Sequence, residues 1–274
     1  MVINIINVIE RVHPKMRDAY RAFIAERRAA EGVDFDSLPP EARPYMEGME
    51  LGRFIDRGTG IFNHETFPGL LERQLLELRE GHVGGVLVGM TDVNGLKIIN
   101  DMWDHSEGDL AINIAADGLL DSTRSAESPG YQHRPFDHVG RGSRGDEFFM
   151  VTRNDIDGHG SIVLVSRIPL NVSRVDRQYE SRKGGNYEVS VSSGGAFTDK
   201  YMDMGELIKR ADEAMYTVKR SGDGARSAAL WTPEGGIEAY RWGQNGCLYS
   251  SGHMVRDANR GLVRTESVIP AYHR

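Results

Sequence analysis

Hydrophobic residues recur at helical spacing in five stretches of the chain. Apolar side chains three or four positions apart form one face of an amphipathic helix. This spacing predicts helices over residues 8–32, 41–55, 67–80, 109–120 and 203–219. Gly32 and the pair Pro39-Pro40 end the first helical stretch. Asp203 is a suitable N-cap for the last stretch, because its carboxylate can accept a hydrogen bond from a free backbone N–H.

Short apolar runs in other parts of the chain predict strands. They cover residues 83–90, 148–151, 161–167 and 187–197, and the first run ends just before Asp92. Residues 122–135 are rich in Ser, Pro and Gly, which predicts a loop, and no strong period follows Pro233. The order of these elements predicts an α/β fold in which helices pack against a mixed sheet.

Composition narrows the classes of partner. The chain has 274 residues, a formal net charge of −7 and a single cysteine, Cys247. One cysteine cannot form an intrachain disulfide, so we expect a reducing, cytoplasmic location. No apolar run approaches the roughly 20 residues that span a bilayer, and an acidic chain lacks the basic field of nucleic-acid-coating proteins. We therefore expect no membrane and no nucleic-acid partner, whereas a nucleotide remains compatible with local lysines and a bound cation.

The most informative segment is Arg144–Phe148, which contains two adjacent acids behind a glycine. Gly145 suits a tight hairpin with Asp146 and Glu147 near its tip. Asp92, at the end of a buried strand, is a third acid that the fold can bring close. Such carboxylates can hold Mg²⁺ against the phosphates of a nucleoside triphosphate. A solvated surface turn, with Asp92 as a helix or turn cap, is the structural alternative.

Four segments, in the expected order, resemble the GGDEF (diguanylate cyclase) family. They are Asp56–Phe67, similar to D-x-L-T-G-L-x-N-R-x-x-F; Asp92–Asp101, similar to D-I-D-x-F-K-x-I-N-D and running on into His105–Asp109, similar to G-H-x-x-G-D; Arg144–Phe148, the signature itself; and Ser192–Ala196 with Arg210–Lys219, similar to S-x-G-x-A and R-A-D-x-A-L-Y-x-A-K. The resemblance covers roughly residues 50–230. It implies a mixed sheet flanked by helices, the fold that this family shares with polymerase palms and nucleotide cyclases.

The resemblance also implies a role for each matching residue. The implied ligands of Mg²⁺, or alternatively Mn²⁺, are Asp92, the carbonyl of Val93, Asp146 and Glu147. The implied catalytic residues are Asp146, Glu147 and Lys97, with Asp146 accepting the proton of the attacking hydroxyl. GTP is expected to contact Lys97 and Lys219 through its phosphates, and Asn100, His105 and Asp109 around its base. An Asn–Asp pair complements guanine. The ordinary alternative is a solvated surface lysine for Lys97 and Lys219, and a structural histidine for His105.

A possible product site and several departures complete the comparison with the family pattern. Arg134 and Asp137 resemble its RxxD inhibitory site, which binds the cyclic product, with a surface ion pair as the alternative. Arg144 replaces the first glycine of the signature, and one extra residue precedes it. Gly58 and His64 replace the usual Leu and Arg, and Asp223 stands about where a second phosphate-binding Arg is common. These departures affect the expected rate more than the expected substrate.

The sequence therefore predicts three parts and one leading function. Residues 1–50 form a helical segment for packing or dimerisation, residues 51–232 a GGDEF-like catalytic domain, and residues 233–274 an extension without assigned chemistry. The expected reaction condenses two GTP into cyclic di-GMP and two pyrophosphates across a homodimer, with cyclic di-GMP as product and inhibitor. A catalytically degenerate module that senses GTP or cyclic di-GMP is the alternative, and a related cyclase making a mixed dinucleotide is a third.

Overall fold

The structure, a computed structural model, describes residues 8–123, 137–153, 158–177, 187–222, 227–242, 248–253, 255–257, 261–263 and 267–268. Its α-helices in these ranges are α1 (Arg17–Ala30), α2 (Arg43–Phe54), α3 (Phe67–Arg79), α4 (Leu96–Trp103), α5 (His105–Ser122), α6 (Gly158–Asp176) and α7 (Met204–Ser221). Its strands are β1 (Val86–Val93), β2 (His138–Arg141), β3 (Glu147–Arg153), β4 (Val191–Thr198), β5 (Ser227–Thr232), β6 (Gly236–Trp242), β7 (Leu248–His253), β8 (Val255–Asp257), β9 (Gly261–Val263) and β10 (Ser267–Val268).

A mixed sheet forms the centre of the fold. Its strand order is β10-β7-β6-β5-β4-β1-β3-β2, and β8 pairs with β9 separately. Strand β1 lies between β3 and β4 and is antiparallel to both, whereas β4 and β5 are parallel. Seven of the eight residues of β1 are buried, as expected for a strand with neighbours on both edges and helices on its faces. The end of β1 is therefore a rigid place for a functional side chain.

Two glycines let the helices approach closely. A Cβ at Gly194 in β4 would lie 2.0 Å from the backbone nitrogen of Met215 in α7. A Cβ at Gly118 in α5 would lie 2.5 Å from the side chain of Val172 in α6. Helix α7 therefore lies directly on β4, and its C-terminal turn, which contains Lys219, comes near the end of β1.

The N-terminal segment is less continuous than the predicted helix over residues 8–32. Two short 3₁₀ turns, Val8–Arg11 and Pro14–Met16, precede α1. Pro14 explains the interruption, because proline has no N–H and restricts the residue before it. The backbone N–H of His13 donates to the carbonyl of Gly60 at 2.9 Å. Gly60 has a φ of +72°, and a Cβ there would lie 2.7 Å from the carbonyl oxygen of Arg11, so glycine is needed at this contact.

The prediction of a strand over residues 161–167 is wrong, because these residues lie within α6. Their β-branched side chains favour strands locally, but the buried apolar positions follow a helical period. These positions are Ile162, Val165, Ile168, Val172 and Val175. The tertiary environment of α6, between α5 and the sheet, overrides the local preference and tolerates Pro169 inside the helix.

Other differences concern boundaries and the C-terminal region. The predicted strand over 187–197 begins only at Val191, and the stretch before the predicted helix 109–120 contains α4 and the start of α5. After Pro233, where no period was evident, strands β6, β7 and β10 extend the same sheet. The indole N–H of Trp242 in β6 donates to the carbonyl of Ser166 in α6 at 2.8 Å. Alternation on a partly exposed edge is a weak pattern, which explains why these strands escaped prediction.

Candidate active site

The register of β1 against β3 brings two of the predicted acids together. Asp92 is paired directly with Glu147 across the antiparallel ladder. Residues directly opposite each other in such a pair project to the same face with Cβ atoms roughly 5 Å apart. Asp146 immediately precedes β3, and its carbonyl accepts a hydrogen bond from the N–H of Val93 at 3.0 Å. The predicted metal-binding residues Asp92, Val93, Asp146 and Glu147 are therefore neighbours at one end of the sheet.

The turn between β2 and β3 is stabilised by a backbone hydrogen bond within it and by the side chain of Arg141. Gly145 has a φ of +82°, a left-handed conformation that glycine adopts without strain. Within the turn, the N–H of Gly142 donates to the carbonyl of Glu147 at 2.7 Å. The Nε of Arg141 donates to the carbonyl of Gly145 at 2.8 Å, and its guanidinium lies 3.5 Å from the carboxylate of Asp56. Arg141 thus joins the first and third family-like segments.

The two opposing acids each have a cationic partner. The Nζ of Lys219 donates to the carboxylate of Asp92 at 2.8 Å. The guanidinium of Arg144 lies 3.3 Å from the carboxylate of Glu147. Burial raises the pKa of Asp92, which is 4% exposed; Lys219 opposes this shift and the negative charge of Asp146 adds to it. Burial also raises the pKa of Glu147, with Arg144 opposing and Asp146 and Asp92 adding. The site is thus a partly desolvated acidic cluster with built-in counter-charges.

The donor set fits a metal ion that arrives with a nucleotide. Within the described residues, no group of three or more His, Cys, Asp or Glu side chains is arranged to hold a metal ion by itself. Mg²⁺ is usually bound by one or two carboxylates, with waters and substrate phosphates completing its octahedron. Asp92 and Glu147, side by side on one face and close to the charge of Asp146, meet that requirement.

Arg144 affects the site through its charge and not through its backbone. Among the described residues, Asp104 is the only non-glycine residue with a positive φ, so Arg144 occupies the first signature position without this kind of strain. The left-handed conformation falls on Gly145 instead. The side chain of Arg144 is 80% exposed and its guanidinium contacts Glu147. Replacement of glycine by arginine therefore adds a mobile cation beside a predicted metal ligand.

The predicted base-binding residues lie on α4 and α5, which follow β1. Asn100 is half-buried, and a Cβ at Gly108 would come within 1.9 Å of its Oδ1, so the Asn100 side chain packs directly on Gly108. Asp109 follows Gly108 and is exposed, with its carbonyl accepting a hydrogen bond from Asn113. Lys97 and His105, in the first turns of α4 and α5, are also exposed. The structure therefore places Asn100 next to the residue that precedes Asp109 and leaves the other groups open to solvent.

The sequence analysis missed Asp104, which joins α4 to α5. Its φ of 115° and ψ of 176° lie in a region populated almost entirely by glycine. Its carboxylate caps α5 by accepting hydrogen bonds from the N–H and the hydroxyl of Ser106, at 2.8 and 2.6 Å. The signal was present, because Asp104 stands where the family pattern G-H-x-x-G-D has its first glycine.

Of the two residues of the predicted inhibitory site, the structure describes Asp137. Asp137 is buried and accepts a short hydrogen bond from the hydroxyl of Thr152 in β3. Arg134 lies outside the described residues, as does Asp223, the acid expected near the phosphates. The carboxylate of Asp137 is therefore already engaged within the fold.

Comparison with known proteins gives the family. The family model described as diguanylate cyclase, GGDEF domain, matches residues 53–225. The chain therefore belongs to the GGDEF domain family of diguanylate cyclases, which confirms the resemblance seen in the sequence. It is 29% identical over 169 residues to diguanylate cyclase DosC of Escherichia coli K12 and 26% identical over 181 residues to diguanylate cyclase DgcS of Shewanella oneidensis. These alignments cover 61% and 66% of the chain, but 33% and 54% of those relatives.

Solved structures confirm the predicted fold class. The coiled coil and GGDEF domain of DgcB from Caulobacter crescentus, in complex with c-di-GMP, aligns with a TM-score of 0.56 at 21% identity. That alignment covers 78% of this chain and 99% of the DgcB chain. Diguanylate cyclase SiaD of Pseudomonas aeruginosa, in complex with its activator SiaC, aligns with a TM-score of 0.51 at 22% identity, over 76% of this chain and 73% of that one. In the ranges that the structure covers, no helix combines the length and apolar character needed to cross a membrane.

Proposed function

We propose that the protein is an active diguanylate cyclase that condenses two GTP into cyclic di-GMP with release of two pyrophosphates. The observation that carries this proposal is the register that sets Asp92 opposite Glu147, with Asp146 alongside, in a chain of this family. The three acids proposed as metal ligands are retained, and none is removed by the departures at Arg144 or Gly58; the second Asp of D-I-D is Asn94 in this chain. A domain that only bound nucleotide would gain nothing from crowding these acids, because burial and the neighbouring negative charges raise the pKa of Asp92 and of Glu147.

The roles follow from position. Asp92, Asp146, Glu147 and the carbonyl of Val93 would hold Mg²⁺, which when bound supplies positive charge to the triphosphate. Lys97 and Lys219 bind phosphates, and Lys219 exchanges its contact with Asp92 for one with the nucleotide. Asn100 and Asp109 hydrogen-bond the guanine edge beside His105. Asp146 accepts the proton from the attacking 3′-hydroxyl.

The reaction requires two copies of the chain. Each copy holds one GTP, and each 3′-hydroxyl attacks the α-phosphate of the nucleotide on the other copy. Residues 51–232 form the catalytic unit in this proposal, and residues 1–50 contribute packing or dimer contacts. Arg134 and Asp137 bind the cyclic product as an inhibitor in this proposal, which requires the buried Asp137 to give up its hydrogen bond with Thr152. We expect the reaction to take place in the cytoplasm, where GTP is present.

The test is incubation of purified protein with GTP and Mg²⁺, followed by chromatography of the products. We expect cyclic di-GMP and pyrophosphate from the wild type and none from Glu147→Ala, which should remain folded because the position is at a strand end. Glu72→Ala, an exposed acid on α3, is the matched control and should retain wild-type activity. Failure of the wild type to form a cyclic dinucleotide, at concentrations that give dimers, would contradict the proposal.

A second function, a catalytically degenerate sensor, is favoured by one observation. The Arg144 guanidinium lies 3.3 Å from Glu147 and competes for the position of a cation. In this case the protein binds GTP or cyclic di-GMP without turnover and controls a partner. Equilibrium binding of GTP without release of pyrophosphate from the same sample would identify the sensor. Release of pyrophosphate from that sample would identify the cyclase.

A further inference from the structure

A cavity of about 670 Å³ lies between the N-terminal helices and the domain that follows them. Residues of α1, α2, α3 and the first residue of β2 line it, and the acids of the candidate active site do not. Its walls include the rings of Phe23 and Phe54, which meet edge to face with centroids 5.1 Å apart, and the side chain of Leu70. A cavity of this size matches the usual volume of small-molecule sites.

Within the part of the chain that the structure describes, two buried polar atoms of the lining residues have no hydrogen-bond partner. They are Oε1 of Gln74 and Nδ1 of His138, in residues that are 2% and 6% exposed. Buried polar atoms are nearly always paired in native proteins, so two such atoms on one cavity indicate a missing partner. Burial lowers the pKa of His138 to about 4, so its ring is neutral at pH 7 and offers one donor and one acceptor.

The mouth of the cavity places a cation, Arg53, and the start of a helix on its lining. Thr66 and Gly69, at the start of α3, line it, and α3 has neither a side-chain N-cap nor an acid in its first turn to balance its dipole. The guanidinium of Arg53 lies 5.0 Å from the Phe54 ring centroid and forms no ion pair with a carboxylate of the described residues. The other lining charges are Glu26 paired with Arg73, Arg27 paired with Glu31, and the exposed Glu65.

We propose that this cavity binds a small organic anion with an aromatic or aliphatic body. Its acidic group lies near Arg53 and the start of α3, its body against the rings of Phe23 and Phe54, and a hydrogen-bonding group near Gln74 and His138. The site is separate from the proposed GTP site and does not depend on cyclase activity. Because α1, α2 and α3 all form its walls, an occupant stabilises the contact between the N-terminal helices and the rest of the fold.

The test uses two fluorescent probes with the same body. The full chain is titrated with 8-anilinonaphthalene-1-sulfonate and with N-phenyl-1-naphthylamine, which lacks the sulfonate. We expect saturable binding of the anionic probe at one site per chain, tighter than binding of the neutral probe. Absence of saturable binding by the folded wild type would overturn the proposal.

Two glycines provide a matched pair of variants. A Cβ at Gly69, on the cavity, and a Cβ at Gly52, on α2 outside it, would each have nothing within 4 Å. We expect Gly69→Phe to fill the cavity and weaken binding of the anionic probe at least about tenfold, roughly 1.4 kcal/mol. Gly52→Phe should bind as the wild type does, and equal binding by both variants would overturn the assignment.

A charge reversal separates the anion site from the apolar walls. Arg53→Glu should weaken binding of the sulfonate probe about tenfold and leave binding of the neutral probe within about twofold of the wild type. Circular dichroism tests whether each variant is folded. If Gly69→Phe is not folded, Arg53→Glu decides the question. Displacement of the probe by GTP or cyclic di-GMP would overturn the proposal, because it would assign the cavity to nucleotide.

Discussion

The two halves of the candidate nucleotide site are built differently. Asp92 and Glu147 are fixed by the register of adjacent strands and largely buried, whereas Lys97, His105 and Asp109 are exposed in the first turns of α4 and α5. A strand register cannot slip by one residue without turning every side chain to the other face. Helix surfaces have no such constraint. The metal-binding half should therefore be rigid before ligand arrives, while the base-binding half depends on a few local contacts.

The largest expected effect tests the rigid half. Asp92→Asn should reduce cyclic di-GMP formation by about 10³-fold or more, because it removes the charge of a proposed metal ligand in a site that cannot rearrange. Burial raises the pKa of Asp92, so loss of its charge should leave the thermal unfolding temperature unchanged or slightly higher. Product chromatography and calorimetry measure the two quantities. Retention of more than about a tenth of the activity would show that this half is not as fixed as the register implies.

The pH dependence of the free energy of unfolding tests whether the sheet is equally closed to solvent at β2, away from the candidate site. The pKa of His138 in β2 is lowered from 6.5 to about 4 by burial, so between these values the unfolded chain binds a proton that the folded chain does not. The free energy of unfolding should therefore fall as pH decreases from 6.5 to 4, by on the order of 3 kcal/mol. Urea unfolding of the wild type and of His138→Gln measures it. The variant should lack this loss, and equal pH profiles would show that His138 is open to solvent.

The base-binding half can be disturbed at one contact. Gly108→Ala would place a Cβ within 1.9 Å of Asn100 Oδ1, and the flexible end of that side chain can move away without unfolding the helix. We expect the KM for GTP to rise about 10- to 100-fold, since a misplaced amide leaves base groups unpaired. Gly52→Ala, an open helical glycine, is the control and should change neither KM nor activity. An unchanged KM in Gly108→Ala would remove Asn100 from the substrate site.

Asp104 allows the strain in that half to be separated from its capping. Asp104→Gly relieves an unfavourable backbone conformation worth about 1–3 kcal/mol and gives up a cap worth a few tenths relative to glycine. Asp104→Ala keeps the strain and loses the cap. Urea unfolding should show the glycine variant about 1 kcal/mol more stable than the wild type and the alanine variant about 1 kcal/mol less stable. The opposite order would contradict the described conformation.

The smallest effect concerns the cation at the boundary of the two halves. Arg144 is exposed, and an exposed ion pair is worth less than about 1 kcal/mol. If it competes for Glu147, Arg144→Gly should raise kcat/KM for GTP by no more than about fivefold. Arg144→Lys retains the charge and is the control. A lower kcat/KM in Arg144→Gly would instead make this residue a phosphate ligand.

The sequence was sufficient for the elements that depend on local pattern. The helix from Phe67, the cap at Asp203 and the strand before Asp92 follow from periodicity and capping chemistry. The prediction of a strand over residues 161–167 is wrong because β-branched residues favour strands locally, whereas the helical spacing of Ile162 and Val165 fits α6. The outer strands after Pro233 were not predicted, since their pairing is decided by the neighbouring strand and not by their own pattern.

The candidate site divides in the same way. The proximity of Asp92 to Glu147 follows from a strand and a hairpin, and was predictable. The contact of Lys219 with Asp92 joins two elements more than a hundred residues apart, and its formation depends on side-chain positions. The contact of Arg144 with Glu147 depends on side-chain positions within a turn that departs from the family pattern. The strained backbone at Asp104 required comparison of each position with the glycines of the family pattern. The cavity beside Gln74 and His138 arises from packing of three helices and has no local signature.

Under the proposed function, the ion pair of Lys219 with Asp92 would make substrate entry an ion exchange. The ammonium group already balances a carboxylate, so an incoming triphosphate does not meet a bare acidic surface that would repel it. In the proposed function the lysine transfers to the phosphates and a divalent cation takes its place, so that Asp92 keeps a positively charged partner throughout. We therefore expect nucleotide affinity to depend only weakly on ionic strength, in contrast to sites that attract their ligand through an unbalanced field.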